Sequence, residues 1–487
     1  MNFKFWRYMI IIDGRSIQER ITMYVAEFLA TFILMYVGCM ACVSPSTTAL
    51  RHLLEVAFGF GCAVATAIEC FGAISGSHIN PIITLAAFLL GKLPLVEIPG
   101  YLTGQFLGST AAYGLIRIMM AESLIFGKFY PDAGICAKGL NPQLTTAQGL
   151  AIETGISFIL ILITCSIVDS RNIMSMGTAG LKFAVTIFIL AIVAGPFTSC
   201  HMNPARTFGP VVVNNAWKKN SWIYWAGPFG GSALATICYI IFFWRRMTWS
   251  DSVKIDVRLT RMLSEFFGTF ILIFVGCMGC VFHNPITARH HLEGAFAFAF
   301  AVTTAIQCFA HVSGSHINPM LSIAGCICGQ ISVLAVPFYI VSQCAGALAG
   351  YGMVALLAPY YDRFGMLEGS VVEDSGVCAT DISPHLELWQ GFFIEAGISG
   401  VTALVFCAAI DSRNKIIEES LPLRFGLAIG TLGLIAAPFS SSHMNPARTL
   451  GPMVVNGYHK NHWLYWVAPI SASISSAITY NIFWAAP

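Results

Sequence analysis

Charge is what this sequence has least of. Asp, Glu, Lys and Arg make up 10% of its 487 residues, against about a quarter in soluble globular proteins. So few charges cannot cover a water-facing surface, and most of the exterior must therefore face hydrocarbon. The net charge of +2 excludes the basic field that nucleic acid demands, and no acidic tail is present. There is also no P-loop, no metal-ligand cluster and no nucleophile with a paired base. Hence no catalytic residue, metal or cofactor is expected. What the chain does hold is 56% apolar residues and a mean hydropathy of +0.72. It reads as an all-α polytopic membrane protein.

Cysteine, by contrast, is plentiful, with 16 residues. Most of them (Cys39, Cys62, Cys70, Cys165, Cys277, Cys308, Cys344, Cys407) lie inside apolar runs, where a free thiol acts as a small packing group. Only Cys136 and Cys378 fall in long polar loops, one per half, so no disulfide is predicted. The first apolar run, Ile21 to Val43, is long enough to span a bilayer and lacks a cleavage site, and it is expected to be retained as a helix.

Internal repeats decide the architecture. Ser75-Gly-Ser-His-Ile-Asn-Pro81 returns as Ser313-Gly-Ser-His-Ile-Asn-Pro319, and His201-Met-Asn-Pro-Ala-Arg-Thr207 returns as His443-Met-Asn-Pro-Ala-Arg-Thr449. The offset is 238 for Glu27 to Glu265 and 242 for Glu153 to Glu395. Two tandem units follow: 21–244 and 259–487, with an N-terminal segment 1–20 and a basic linker 245–258. Six spans are predicted per unit, at about 21–43, 52–72, 96–118, 148–168, 180–197 and 221–244 in the first. The second gives about 259–282, 289–310, 333–357, 388–410, 421–438 and 462–484. Each unit also halves, because Asn80-Pro81 and Asn203-Pro204 each follow a Glu-bearing span. Three spans per half place the halves in opposite orientation, an inverted repeat. Basic clusters at Lys4, Arg7, Arg15, Arg20 and at Arg245, Arg246, Lys254, Arg258, Arg261 place both termini in the cytoplasm.

After each Asn-Pro come about ten apolar residues, too few to span. Asn suits an N-cap and Pro the first helical position, so a re-entrant half-helix is predicted at each of the four boxes. Two such half-helices entering from opposite faces would meet at the midplane, bringing their positive ends and free N–H donors together. Glu27, Glu153, Glu265 and Glu395 are intramembrane carboxylates. As proton relays they would imply a pump; the reading adopted is structural, with each accepting backbone N–H groups freed by the non-helical loops.

In these paired boxes the chain resembles a tandem pair of aquaporin-type channels of the major intrinsic protein family. The resemblance implies, for each unit, six transmembrane helices, two half-helices and its own pore. It makes Asn80, Pro81, Ile82, Asn203, Pro204 and Ala205 the pore boxes of unit one, and Asn318, Pro319, Met320, Asn445, Pro446 and Ala447 those of unit two. Ile82 and Met320 stand where Ala is usual and are expected to narrow or stiffen the midplane. The selectivity filter would be Phe60, Ala191, Cys200 and Arg206 in unit one, and Phe298, Gly433, Ser442 and Arg448 in unit two. Cation exclusion by such an Arg is an established property of aquaporin-type pores. Ala191 and Gly433 stand where water-selective members carry His.

Thr207 and Thr449 occupy a position where glycerol-conducting relatives commonly carry Asp, and Tyr224-Trp225 and Tyr465-Trp466 look like water channels. Together with the missing His, these features resemble the insect glycerol-permeable (entomoglyceroporin) branch. The permeants so implied are water, glycerol and urea, across a lipid bilayer, expected to be the plasma membrane. No nucleic acid partner is expected, and a dimer of the chain would supply four pores. The alternatives are a twelve-helix secondary transporter, which needs one site shared by both halves, and a junctional membrane protein with poorly conducting pores.

Overall fold

The computed structural model describes residues 14–44, 52–126, 132–137, 139–244, 257–281, 291–358, 376–379 and 381–484. Lys4, Arg7 and most of the basic linker (Arg245, Arg246, Lys254) lie outside them. Among the described residues every regular element is helical, and the chain divides into compact units at Arg245/Arg246.

The main helices of unit one are α1 (Ile17–Met40), α2 (Leu53–Ser75), α3 (Pro81–Leu89), α4 (Ile98–Met119), α5 (Thr146–Ile167), α6 (Ala179–Thr198), α7 (Pro204–Val213) and α8 (Ile223–Phe242). Unit two repeats the order: α9 (Val257–Met278), α10 (His291–Ser313), α11 (Pro319–Ile327), α12 (Val336–Leu357), α13 (Leu388–Ile410), α14 (Leu421–Ser440), α15 (Pro446–Asn456) and α16 (Leu464–Phe483). All twelve expected spans are present, and α3, α7, α11 and α15 are the short ones. Ten of the long helices are apolar enough to cross a membrane by composition; α4 and α16 are not among them. Those two carry polar side chains for internal use, such as Gln105 reaching Glu27 and Ser473 reaching the Met320 carbonyl.

Local chemistry sets the boundaries. α1 starts four residues before the expected Ile21 because Ser16 and Glu19 form a reciprocal capping box that recruits the preceding turn. Thr145 with Gln148 opens α5 in the same way. At the other end, α2 and α10 stop on Gly76 and Gly314, whose φ of 83° and 88° is left-handed.

Packing in each unit is reciprocal, as an inverted repeat requires. α1 lies against α4 as α5 lies against α8, and α2 crosses α6 between them. Half-helix α3 packs on α8, and its counterpart α7 packs on α4; unit two repeats every pairing. Close approach is what the glycines of α4 permit. A Cβ on Gly104 would stand 2.6 Å from the Tyr24 carbonyl oxygen of α1, and one on Gly350 of α12 would stand 2.8 Å from that of Phe270. Large apolar side chains such as Leu107, Ile118, Phe338 and Leu356 stand exposed on the outer faces, where lipid would meet them.

One expectation fails here. Cys277, inside α9, is disulfide-bonded to Cys378 in the loop before α13, with a Cα–Cα distance of 5.7 Å. The sequence separation of 101 hides this pairing, because only the folded loop carries Cys378 back to the end of α9.

Candidate pore and filter

Each pore is built around two non-helical loops that no membrane lipid could solvate. Before each Asn stands a residue with left-handed backbone: Ile79 at φ 49°, Met202 at 48°, Ile317 at 48° and Met444 at 52°. For a β-branched Ile this is strained, by roughly 1–3 kcal/mol, and it persists only if neighbours over-determine it. The buried glutamates are those neighbours. Glu27 accepts the backbone N–H groups of His78 and Ile79 at 2.8 and 2.9 Å, the Ser75 hydroxyl at 2.7 Å and the Gln105 amide at 2.9 Å. Glu153 accepts the N–H groups of His201 and Met202 at 3.0 and 2.9 Å and the Thr198 hydroxyl at 2.6 Å. Glu265 serves His316 and Ile317, and Glu395 serves His443 and Met444, at 2.7–3.0 Å. All four are fully buried. Every carboxylate oxygen so placed is occupied by a donor of its own loop.

The strained residues turn their carbonyls across to the opposite box. The Asn80 amide donates to the Met202 carbonyl at 3.0 Å, and the Asn203 amide donates to that of Ile79 at 2.8 Å. Unit two matches, with Asn318 to Met444 and Asn445 to Ile317, both at 2.9 Å. Meanwhile each Asn Oδ1 caps its own half-helix: Ile82 N–H on Asn80, Ala205 and Arg206 N–H on Asn203, and likewise Met320 on Asn318 and Ala447 and Arg448 on Asn445. Capping fixes which amide end faces inward. An amide has two N–H donors and one is used at each site, which leaves one donor per Asn for whatever occupies the midplane.

Pro81, Pro204, Pro319 and Pro446 hold the first helical positions, as the boxes predict. Ile82 and Met320 are fully buried, and their carbonyls accept the Ser232 and Ser473 hydroxyls at 2.8 Å. Met320 does not line the cavity of unit two, which measures about 390 Å³ and is lined by Leu321.

The same cavity gathers Phe298, Gly433, Ser442, Arg448, Asn318 and Asn445. The Arg448 guanidinium carbon lies 4.4 Å from the Phe298 ring centroid. In unit one Arg206 lies 5.3 Å from Phe60, and its Nη1 donates to the Cys136 carbonyl at 2.7 Å. Cys200 is buried beside these groups. A Cβ built on Gly433 would meet nothing within 4 Å, so the space an imidazole would take is open. Ala191 is half-buried on α6.

Other members of the constellation take roles that the sequence did not assign. Gly38 and Gly276 leave room for the Phe60 and Phe298 rings, which a Cβ at either would overlap. His201 stacks on Tyr224 with centroids 4.0 Å apart and shares a 2.8 Å contact with Thr207, so Thr207 serves to hold the ring. The Cys136 carbonyl was invisible too, since a backbone atom leaves no motif.

Comparison with known proteins finds one family for both units. The family model described as "Major intrinsic protein" matches residues 15–239 and again 252–480. Aquaporin-5 of Sus scrofa is 34% identical over 214 residues, covering 44% of this chain and 78% of its own length. Aquaporin-4 of Mus musculus is 32% identical over 222 residues, 45% of this chain and 65% of its own. The X-ray structure of the aquaglyceroporin from Plasmodium falciparum is 25% identical, covering 46% of this chain and 96% of that one, with a TM-score of 0.41.

Proposed function

Since the chain belongs to the major intrinsic protein family, whose members are membrane channels and not enzymes, we propose that each unit is a separate passive pore for water, glycerol and urea. The observation that carries the solute range is the open space at Gly433, beside Phe298 and Arg448 in one cavity. A polyol laid along this wall sets its carbons against the Phe298 ring while Arg448 and the loop carbonyls replace the water lost from its hydroxyls. The same geometry at Asn318 and Asn445 leaves one amide donor each at the midplane. A permeant oxygen held by both must accept there, and a continuous proton-passing chain is broken.

Ions meet the opposite balance. The converging half-helix N-termini present roughly one positive elementary charge between them, and the filter Arg adds another. A cation about 4 Å from one such charge is repelled by about 4 kcal/mol at an effective dielectric constant of about 20, before any cost of dehydration. Exclusion of this kind is a known aquaporin property and no novelty of this chain.

The likeness to the insect glycerol-permeable branch rests on the vacant His position together with Thr207, Thr449 and the Tyr-Trp pairs; the sequence relatives named above are aquaporin-5 and aquaporin-4. Both termini are placed in the cytoplasm and the chain in the plasma membrane, paired as a dimer with four pores. The Cys277–Cys378 bridge supports that orientation, because it sets the loop before α13 on the oxidising side. Stopped-flow swelling of vesicles holding the purified chain tests the proposal. Water, glycerol and urea should all enter faster than in empty vesicles, with no ionic current in a planar bilayer. Entry of water alone would remove the solute range.

A further inference from the structure

The two units differ in sulfur chemistry at equivalent positions, and the filter arginine differs with it. In unit two Cys378 is bonded to Cys277. Their counterparts in unit one, Cys136 and Cys39, are free thiols, as is Cys42 one turn further along. The Cys136 Sγ lies 3.5 Å from the Cys42 Sγ and is also in contact with the Cys39 thiol. Three thiols thus meet at the outer end of α1, and only Cys42 among them is more than slightly accessible.

The loop tips are otherwise alike. Cys136 and Cys378 have the same left-handed φ, 60° and 62°. The residue before each is anchored alike, with Tyr113 donating to the Ile135 carbonyl and Tyr351 to that of Val377, both at 2.8 Å. What changes is the arginine. In the reduced unit Arg206 Nη1 donates to the Cys136 carbonyl at 2.7 Å and stands 3.1 Å from the His201 ring Nδ1. In the bridged unit Arg448 Nη1 is buried and finds no hydrogen-bond partner among the described residues. Its guanidinium carbon sits 4.4 Å from the filter aromatic, where Arg206 sits at 5.3 Å. One residue therefore links both facts: its sulfur is the bridging atom and its carbonyl is the arginine's anchor.

We propose that Cys136 with the α1 thiols Cys39 and Cys42 is an oxidisable site that sets the filter of unit one, converting it to the arrangement already present in unit two. The oxidant is a small peroxide reaching the outer vestibule. One thiol attacks a peroxide oxygen; the S–O bond forms as the O–O bond breaks, and a water leaves. A second thiol attacks the sulfenic sulfur, the S–S bond forms as S–O breaks, and a second water leaves. Two thiol protons and two electrons balance one hydrogen peroxide reduced to two waters. With the Cys136 carbonyl withdrawn, the Arg206 Nη1 N–H that it accepts becomes an extra donor for a hydroxyl-bearing permeant. The functional half rests on unit one conducting; the bridge itself does not.

The test uses the full chain in vesicles, with Gly433→Trp filling the filter of unit two. Hydrogen peroxide should join the Cys136 peptide to the peptide holding Cys39 and Cys42, with a loss of two hydrogens by mass spectrometry. The glycerol-to-water permeability ratio should rise at least about twofold, roughly 0.4 kcal/mol of barrier, and dithiothreitol should reverse both changes. Cys136→Ser keeps the loop carbonyl and should abolish both; Cys39→Ala with Cys42→Ala should do the same should that variant fail to fold. No linked peptide, or a bridge that leaves the ratio unmoved in a conducting unit, overturns the inference. A bridge that forms in a unit passing no solute in either state overturns the pore reading instead.

Discussion

Gly433 is the residue on which solute choice turns. Its missing side chain leaves open space beside Arg448, whose guanidinium lies against Phe298. Placing an imidazole there removes room for a carbon backbone while offering a water molecule one more polar contact. Ala191→His with Gly433→His should therefore lower glycerol permeability about tenfold or more, a barrier change of about 1.4 kcal/mol, while water changes far less. Equal glycerol flux in the double variant and its parent, measured in the same vesicles, would show the filter register to be wrong. Glu153 gives the second residue-level prediction. Oε1 holds the His201 N–H and the Thr198 hydroxyl, and Oε2 holds the Met202 N–H. Glu153→Gln turns one acceptor into a donor and leaves a buried N–H facing it, at a cost of about 1–3 kcal/mol. Thermal unfolding in detergent should fall by several degrees, whereas Glu69→Gln, at an exposed position, should leave it unchanged. Equal melting of both variants would sink the structural role.

Among the elements, the half-helices and the glutamates that support their loops were legible, and the links between the two boxes were not. Asn-Pro before about ten apolar residues fixes both the start and the shortness of α3, α7, α11 and α15, because cap chemistry and span length are local properties. The cross-donation from Asn80 to Met202 is not local, and neither is the turn that aims the Cys136 carbonyl at Arg206. Backbone groups have no letter in the sequence. The Cys277–Cys378 bridge was missed for a related reason: an apolar setting argues for packing, and only the return of a loop argues for bonding. Small-residue stripes were readable, since Gly100, Gly104 and Gly108 recur at helical spacing. Their partner was not, and it proves to be α1, met by Gly100 at the Tyr24 ring and by Gly104 and Gly108 at the Tyr24 and Phe28 carbonyls. Gly104→Leu and Gly350→Leu should each force α4 from α1, or α12 from α9, and reduce the yield of folded monodisperse protein. Gly114→Ala and Gly352→Ala sit on the same two helices with nothing within 4 Å of the added carbon. Those two should express at parental levels or better, and size-exclusion profiles compare the four directly.

At the scale of the whole molecule the question is whether one chain runs one path or two. Length and twelve long helices suit a secondary transporter as well as a pair of channels, and the fold class alone does not separate them. The sites do. Each unit holds its own pair of Asn boxes, its own strained loops and their two carboxylates, and its own filter arginine. No group of one unit is needed to complete the hydrogen bonds described above for the other. Two independent conductances in parallel must then add. Ala191→Trp should close unit one and leave the share carried by unit two, and Gly433→Trp should do the reverse. The two residual water permeabilities should sum to that of the parent, and the double variant should fall to the level of empty vesicles. A transporter with a shared central site predicts that either single substitution abolishes transport. Swelling rates of the four proteins, normalised to chains per vesicle, decide between the sum and the total loss.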